Sequence, residues 1–200
     1  MAAELLTAVR HTPERLLHRW RRRAAHTAAR RSHAPGTVLV LCYGNICRSP
    51  FASAILARCL APAGVLVESA GLMGPGRPAP ADAVRAAGAY SVDLSRHRSR
   101  LVTTELVRDA DLVVVMDEAQ RRSVSERFGL PAAAVLLLGD FDPAPIRTRG
   151  IRDPINQPLH VFTQVYARIA RCARSLASQV LRVAPGPVAG GPDARVRLAP

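Results

Sequence analysis

From Thr37 onward the chain alternates short apolar runs with stretches whose apolar residues recur every three or four positions. Thr37 to Cys42 is unbroken and of strand length, the pattern of a strand buried on both faces. Ser49-Pro50 supplies a cap and a first-turn proline, and Phe51, Ile55, Leu56 and Cys59 then repeat at helical spacing. A second strand is predicted over Val65 to Glu68, ending in Ser69-Ala70-Gly71. A Gly74-Pro75-Gly76 loop follows, then a helix from about Ala81 to Ala87. Leu112 to Met116 predicts a third strand, Asp117 the cap of a helix running toward Phe128, and Val135 to Leu138 a fourth strand. The closing stripe, Leu159, Phe162, Tyr166, Ile169, Ala173, Leu176 and Val180, fits a helix packed on the sheet better than a coiled-coil seam. Strand alternating with helix implies an α/β fold in three layers, a four-stranded parallel sheet with helices on both faces.

Both ends read differently. Residues 1–36 hold eight Arg against two acids, four of the six His, and a Pro35-Gly36 break before the first strand. They read as an Arg-rich extension with a helix starting at Thr12-Pro13-Glu14. Leu16, Leu17, Trp20 and Ala24 would share one face of it, with Arg15, Arg19, Arg22 and Arg23 around the rest. A basic amphipathic helix suits an anionic membrane surface or a partner, and the composition also suits an organellar transit peptide or a loosely ordered extension. Residues 184–200 are rich in Pro and Gly and read as a disordered tail. The expected organisation is an extension (1–36), one folded domain (37–183) and a tail (184–200).

Composition narrows the class. All 28 basic residues are Arg, leaving a net charge of +13, which suits an anionic partner and is equally the mark of codon usage. Nucleic acid is a poor candidate for that partner, because no duplex-reading motif is present. No apolar stretch approaches the roughly 20 residues that span a bilayer. The four cysteines, Cys42, Cys47, Cys59 and Cys172, are too few and too unevenly placed for a disulfide scaffold, so a cytoplasmic setting is expected. No Cys/His set has zinc spacing, and neither metal nor cofactor is expected.

The informative stretch is Val38-Leu39-Val40-Leu41-Cys42-Tyr43-Gly44-Asn45-Ile46-Cys47-Arg48-Ser49-Pro50. A Cys closes a buried strand, five residues turn, and Arg-Ser-Pro opens a helix. In a doubly wound sheet ligands bind beyond the carboxyl ends of the strands. A tight loop there turns backbone N–H groups inward and adds the positive end of a helix, a cradle sized for phosphate. Arg48 can fork onto phosphate oxygens, and Cys42 beneath them sits where the thiolate is favoured as a nucleophile aimed at phosphorus. Asn45 suits the left-handed backbone such a turn needs.

These residues closely resemble the signature of the low-molecular-weight protein tyrosine phosphatase family, whose fold is flavodoxin-like. Further matches follow in order: Glu68-Ser69-Ala70-Gly71, His97-Arg98-Ser99-Arg100, Met116-Asp117-Glu118 and Asp153-Pro154. The resemblance implies hydrolysis of phosphomonoesters, foremost protein phosphotyrosine, through a cysteinyl-phosphate and without a cofactor. It implies Cys42 as nucleophile, Arg48 as the group binding phosphate and transition state, and Asp153 as general acid and then base. It places Tyr43, Gly44, Asn45, Ile46, Cys47, Arg48 and Ser49 around the phosphate, with the Ser49 hydroxyl on the Cys42 sulfur. Asn45, Ser69 and His97 correspond to a network that holds the loop open. Asp117 matches a family position, and capping its own helix explains it equally well. Cys47 matches a position that can form a reversible disulfide with the nucleophile, or is a small buried hydrophobe. The implied partner is a phosphorylated protein, a bacterial tyrosine kinase among the candidates.

Two Asp-Pro pairs compete for the acid, and Asp153-Pro154, just before the closing helix, is preferred over Asp142-Pro143. The sequence departs from the family where Ile155-Asn156 replace the aromatics that commonly follow Asp-Pro, and where the 74–80 loop lacks one. Tyr43 is then the aromatic expected near the mouth. Arsenate reduction is disfavoured because no Cys lies between 59 and 172, and phosphoarginine hydrolysis because Ile46 stands where those relatives carry Thr. The alternative from another class is a non-catalytic phosphate- or phosphoprotein-binding module whose basic extension attaches to nucleic acid or membrane.

Overall fold

The computed structural model describes residues 17–29 and 35–182. The predicted helix start at Thr12-Pro13-Glu14 and the predicted tail 184–200 lie outside the described residues. Four strands, β1 (Thr37–Cys42), β2 (Leu66–Gly71), β3 (Leu112–Val115) and β4 (Val135–Leu137), pair in parallel in the order β2-β1-β3-β4. The helices are α1 (residues 17–29), α2 (Arg48–Leu60), α3 (Ala81–Gly88), α4 (Thr104–Arg108), α5 (Glu118–Phe128) and α6 (Leu159–Leu181).

Period-2 alternation along the buried strands sorts side chains into two layers. Val38, Val40 and Cys42 of β1, with Val114 of β3, face α2, α3 and α6, where Phe51, Phe162, Tyr166 and Ile169 fill the core. Leu39 and Leu41, with Val113 and Val115, face Val107 of α4 and Val124 of α5. Phe51 and Tyr166 stack at 4.0 Å, and each such buried ring contributes about 2–3 kcal/mol. The Tyr166 hydroxyl donates to the Cys47 carbonyl (3.0 Å), which fastens the long closing helix to the segment after β1.

The order places the reversal of strand sequence between β1 and β3, so the crevice for a ligand opens at the carboxyl end of β1. The predicted strands and long helices are present within a few residues. β2 runs on to Gly71 because its ladder continues to the pair Cys42–Gly71. β4 ends at Leu137, and Leu138–Phe141 tighten into a 3-10 turn. α4 has no counterpart in the sequence reading: five residues are too few for a helical period, and its signal is the Thr103 hydroxyl that accepts from Leu106 N–H (3.3 Å).

α1 packs through small residues. Ala25 and Ala29 join the main core, His18 is buried, and His26 stacks on Phe141 at 5.2 Å. The helix flanks the edge strand β4, enclosing about 340 Å³ between Ala24, Ala25, Ala28 and Val135–Leu137. The face expected from Leu17, Trp20 and Ala24 points outward. Among the described residues no helix is long and apolar enough to cross a membrane.

Candidate active site

β1 ends at Cys42 and α2 begins at Arg48, so residues 43–47 must reverse the chain in five residues. Asn45 makes the turn with φ of 49°, a left-handed conformation its short amide tolerates. α2 starts two residues before the predicted first-turn Pro50, and Ser49 is not its cap. Cys47 occupies the N-cap and offers no side-chain acceptor, so no cap consumes the first-turn N–H groups. Those groups, at the positive end of the helix, suit an anion.

The Ser49 hydroxyl donates to the Cys42 sulfur at 3.0 Å, and the Asn45 N–H donates to the same atom at 3.2 Å. Cys42, Asn45 and Ser49 are all buried. Asn45 ties the loop to three elements. Its Nδ2 donates to Ser49 Oγ (2.9 Å) and Ser69 Oγ (3.0 Å), and its Oδ1 accepts from Arg100 N–H (3.1 Å). His97 Nε2 lies 2.6 Å from the Asn45 carbonyl and donates to it, which places the ring proton on Nε2. Gly71 at the end of β2 completes the fit: a Cβ there would sit 2.9 Å from Asn45 Cβ.

Arg48 is 3% exposed. Its Nη1 donates to the Ile151 carbonyl (3.1 Å) and to Asp117 Oδ2 (3.3 Å), and its Nη2 donates to Asp153. Asp117 therefore serves both purposes left open by the sequence: Oδ1 caps α5 by accepting from Gln120 N–H (2.9 Å), while Oδ2 holds Arg48. Asp153 rides on an irregular segment, where its Oδ1 accepts from Ile155 N–H (3.2 Å). The competing Asp142 is 1% exposed and locked by Arg168 (3.1 Å) and Arg171 (3.2 Å), away from the cleft.

Cys42, Arg48 and Asp153 line one cleft of about 90 Å³ together with Tyr43, Met73, Arg77 and Ile155. It opens into a larger groove of about 460 Å³ that shares Tyr43, Arg48 and Asp153 and runs past Leu72, Ser123 and Arg152. Tyr43, Met73 and Ile155 are exposed at this mouth and form an apolar rim. Met73 and Arg77 were missed because nothing in their local pattern sets them apart. Arg77 donates to the Gly44 carbonyl (3.1 Å) and the Gly74 carbonyl (3.2 Å), clamping the 74–77 loop against the turn. Ser99 Oγ fastens the same loop through Gly74 O (2.6 Å) and Arg77 N–H (2.9 Å).

Burial, with the nearby Cys42 and Asp153, pushes the Cys47 thiol up to about 12. It is a neutral thiol at neutral pH, and all four cysteines are free. Among the described residues no group of His, Cys, Asp and Glu is placed to hold a metal ion.

The family model for low-molecular-weight phosphotyrosine protein phosphatases matches residues 37–184. The chain belongs to this family. EpsP of Ralstonia nicotianae, which carries the name of a low-molecular-weight protein-tyrosine-phosphatase, is 38% identical over 136 residues, covering 68% of this chain and 89% of EpsP. The low-molecular-weight protein-tyrosine-phosphatase Etp of Escherichia coli K12 is 31% identical over 147 residues, 73% of this chain and 95% of Etp. Among solved structures, Vibrio vulnificus Wzb in complex with benzylphosphonate matches with a TM-score of 0.64 at 28% identity, covering 72% of this chain and 97% of Wzb. The YwlE arginine phosphatase of Geobacillus stearothermophilus matches with a TM-score of 0.66 at 27% identity, covering 74% and 94%. The low-molecular-weight phosphatase is thus an enzyme of the protein-tyrosine-phosphatase kind, acting on phosphoproteins, and residues 1–36 stand outside the family match.

Proposed function

We propose that this phosphatase hydrolyses protein phosphotyrosine in two displacements at Cys42. In the first, the Cys42 sulfur attacks phosphorus, the bond to the tyrosyl oxygen breaks, and Asp153 gives its proton to the leaving phenolate. In the second, Asp153 takes a proton from water, the water oxygen attacks phosphorus, and the S–P bond breaks to release phosphate and the thiolate. Arg48 forks onto two phosphoryl oxygens, exchanging the Asp153 carboxylate for substrate as the anion enters. The turn Tyr43, Gly44, Asn45, Ile46 and Cys47 supplies backbone N–H groups to the remaining oxygens. Ser69 and His97, acting through Asn45, are positioning residues.

The observation that carries this reading is the pair of donors converging on the Cys42 sulfur, Ser49 Oγ at 3.0 Å and Asn45 N–H at 3.2 Å. The two donors fix the sulfur at the floor of the cleft and face the negative charge that develops on it as it leaves phosphorus in the second displacement. The apolar rim supports an aromatic substrate, with the Tyr43 ring and the aliphatic surface of Met73 and Ile155 offering a wall to it. Benzylphosphonate, which the related Wzb binds, carries the same ring and phosphoryl spacing as a short phosphotyrosine mimic. The partner proposed is a phosphorylated protein in the cytoplasm, with a bacterial tyrosine kinase as the class the family points to.

The test is hydrolysis of phosphotyrosine, phosphoserine and phosphoarginine peptides by the wild type and by Cys42→Ser. The expected result is preference for phosphotyrosine, inhibition by benzylphosphonate, and no turnover in Cys42→Ser although phosphopeptide still binds. Preference for phosphoarginine would overturn the substrate. Phosphopeptide binding without hydrolysis by the wild type would make the chain a binding module.

A further inference from the structure

α1 is fastened on one side only. Taking 100° per residue, His18, Ala25 and Ala29 lie within a narrow arc that meets the body, with Arg22 at its edge donating to the Pro143 carbonyl (3.4 Å). The opposite arc runs through Arg23, Thr27, Trp20 and Leu17, flanked by Arg19 and Ala24 where they border grooves shared with the body, and all six are exposed. Trp20 is 73% exposed and Leu17 46%, the two largest apolar groups of the helix turned to solvent side by side. Within the same arc the two guanidiniums lie to one side of the indole. A helix that buries alanines and exposes its tryptophan has been sorted by something other than its own domain.

Charge says what that is. Residues 1–36 carry eight Arg and two acids on a chain of net charge +13, so a second copy of this chain is repelled and an anionic surface is attracted. The apolar pair says which anionic surface. A nucleic-acid backbone satisfies Arg19 and Arg23 but offers nothing to Leu17. An anionic bilayer takes both, with the indole at headgroup depth and the arginine stems beside it reaching phosphates. We propose that the outer face of α1, Leu17, Trp20 and Ala24 with Arg19 and Arg23, docks this phosphatase on an anionic lipid surface. The helix lies along the headgroups and does not enter the bilayer core, consistent with its short apolar width.

Trp20 is the single tryptophan of the chain, so intrinsic emission reports on this face alone. The experiment mixes full-length protein with vesicles of phosphatidylglycerol and phosphatidylcholine at physiological ionic strength, and in parallel with vesicles of phosphatidylcholine alone. The mixed vesicles are expected to shift Trp20 emission to the blue and to pellet the protein, while the neutral vesicles do neither. An unchanged spectrum and no pelleting with the anionic vesicles would overturn the proposal. So would tighter binding to single-stranded RNA than to these vesicles. A neighbouring cation strengthens attachment about fivefold, so the double variant Arg19→Glu, Arg23→Glu should pellet at least about tenfold less well. Trp20→Ala should weaken pelleting severalfold. Both variants should hydrolyse a soluble aryl phosphate at the wild-type rate, since neither change touches the cleft. Pelleting of the double variant equal to wild type would place the contact elsewhere and contradict the assignment.

Discussion

Two regions meet at the cleft lined by Cys42, Arg48 and Asp153, and they are built differently. The turn carrying Cys42 is a buried knot of hydrogen bonds centred on Asn45, which reaches Ser49, Ser69, Arg100 and His97 within 3.1 Å. The segment carrying Asp153 has no regular structure and hangs on charged ties: Arg149 on Asp140 (2.6 Å) and Arg168 on Asp142 (3.1 Å), Thr148 O (2.7 Å) and Gly150 O (2.9 Å). Gly139 shows how closely the segment is drawn in, since a Cβ there would overlap the Arg149 carbonyl at 1.8 Å. The difference suits the two tasks. The proposed nucleophile must sit in one place through both displacements, which a preorganised cage provides. The proposed acid, Asp153, exchanges Arg48 for substrate and must adjust, and a tethered arm allows that.

The contrast can be broken first at the arm. Asp153→Ala should lower kcat about 10²–10⁴-fold for phenyl phosphate and much less for p-nitrophenyl phosphate, whose leaving group needs no proton. Equal losses on the two substrates, measured in steady-state assays, would remove Asp153 from the acid role. At the cage the signature is the reverse. Asn45→Ala deletes three side-chain bonds at a left-handed position and should cost about 3 kcal/mol in urea unfolding. It should also slow both substrates alike, by roughly 10-fold or more. A leaving-group-dependent loss in Asn45→Ala would contradict the division of labour.

Much of this was legible beforehand, and the gaps have physical causes. β1 and the turn after it could be read because an uninterrupted apolar run has one use in a parallel sheet, and because Gly, Asn, Arg and Ser in that order match the phosphate cradle the family signature implies. Asp153 is preferred over Asp142 in the sequence by its place just before the closing helix, because the two Asp-Pro pairs look alike locally. The physical reason is outside the sequence pattern: Arg168 and Arg171, more than twenty residues further on, hold the buried Asp142 carboxylate. Met73 and Arg77 escaped notice for the same reason: their importance comes from Gly44, Ser99 and Ile155 arriving from other segments. The outward face of α1 was invisible to periodicity, which finds an apolar stripe and cannot say whether the parent domain or something else covers it.

Two smaller effects sharpen the comparison. Asp142→Asn leaves Arg168 and Arg171 without their carboxylate under the arm and should destabilise by about 3 kcal/mol. Because the damage is to the tether, kcat should fall only severalfold, and more for phenyl phosphate than for p-nitrophenyl phosphate. The remaining effect is alkaline. Cys47 and Cys172 are both held up to about 12, chiefly by burial, against an ordinary value of 9.0. A thiol raised in the folded state favours folding fully below its unfolded value and loses that contribution as pH climbs through the folded one. Unfolding free energies from urea titration should therefore hold steady to about pH 9 and fall from there toward 12, by up to about 4 kcal/mol for each thiol. A cysteine-to-alanine pair at 47 and 172 should flatten that fall.

The central claim is that phosphorus passes through the Cys42 sulfur. Mixing enzyme in excess with a phosphotyrosine peptide, quenching within one turnover and mapping the peptides by mass spectrometry tests it directly. Phosphate found on Cys42, and increased when Asp153→Ala slows the second displacement, is the predicted result. Product phosphate appearing with no adduct on Cys42 at any quench time would contradict the account.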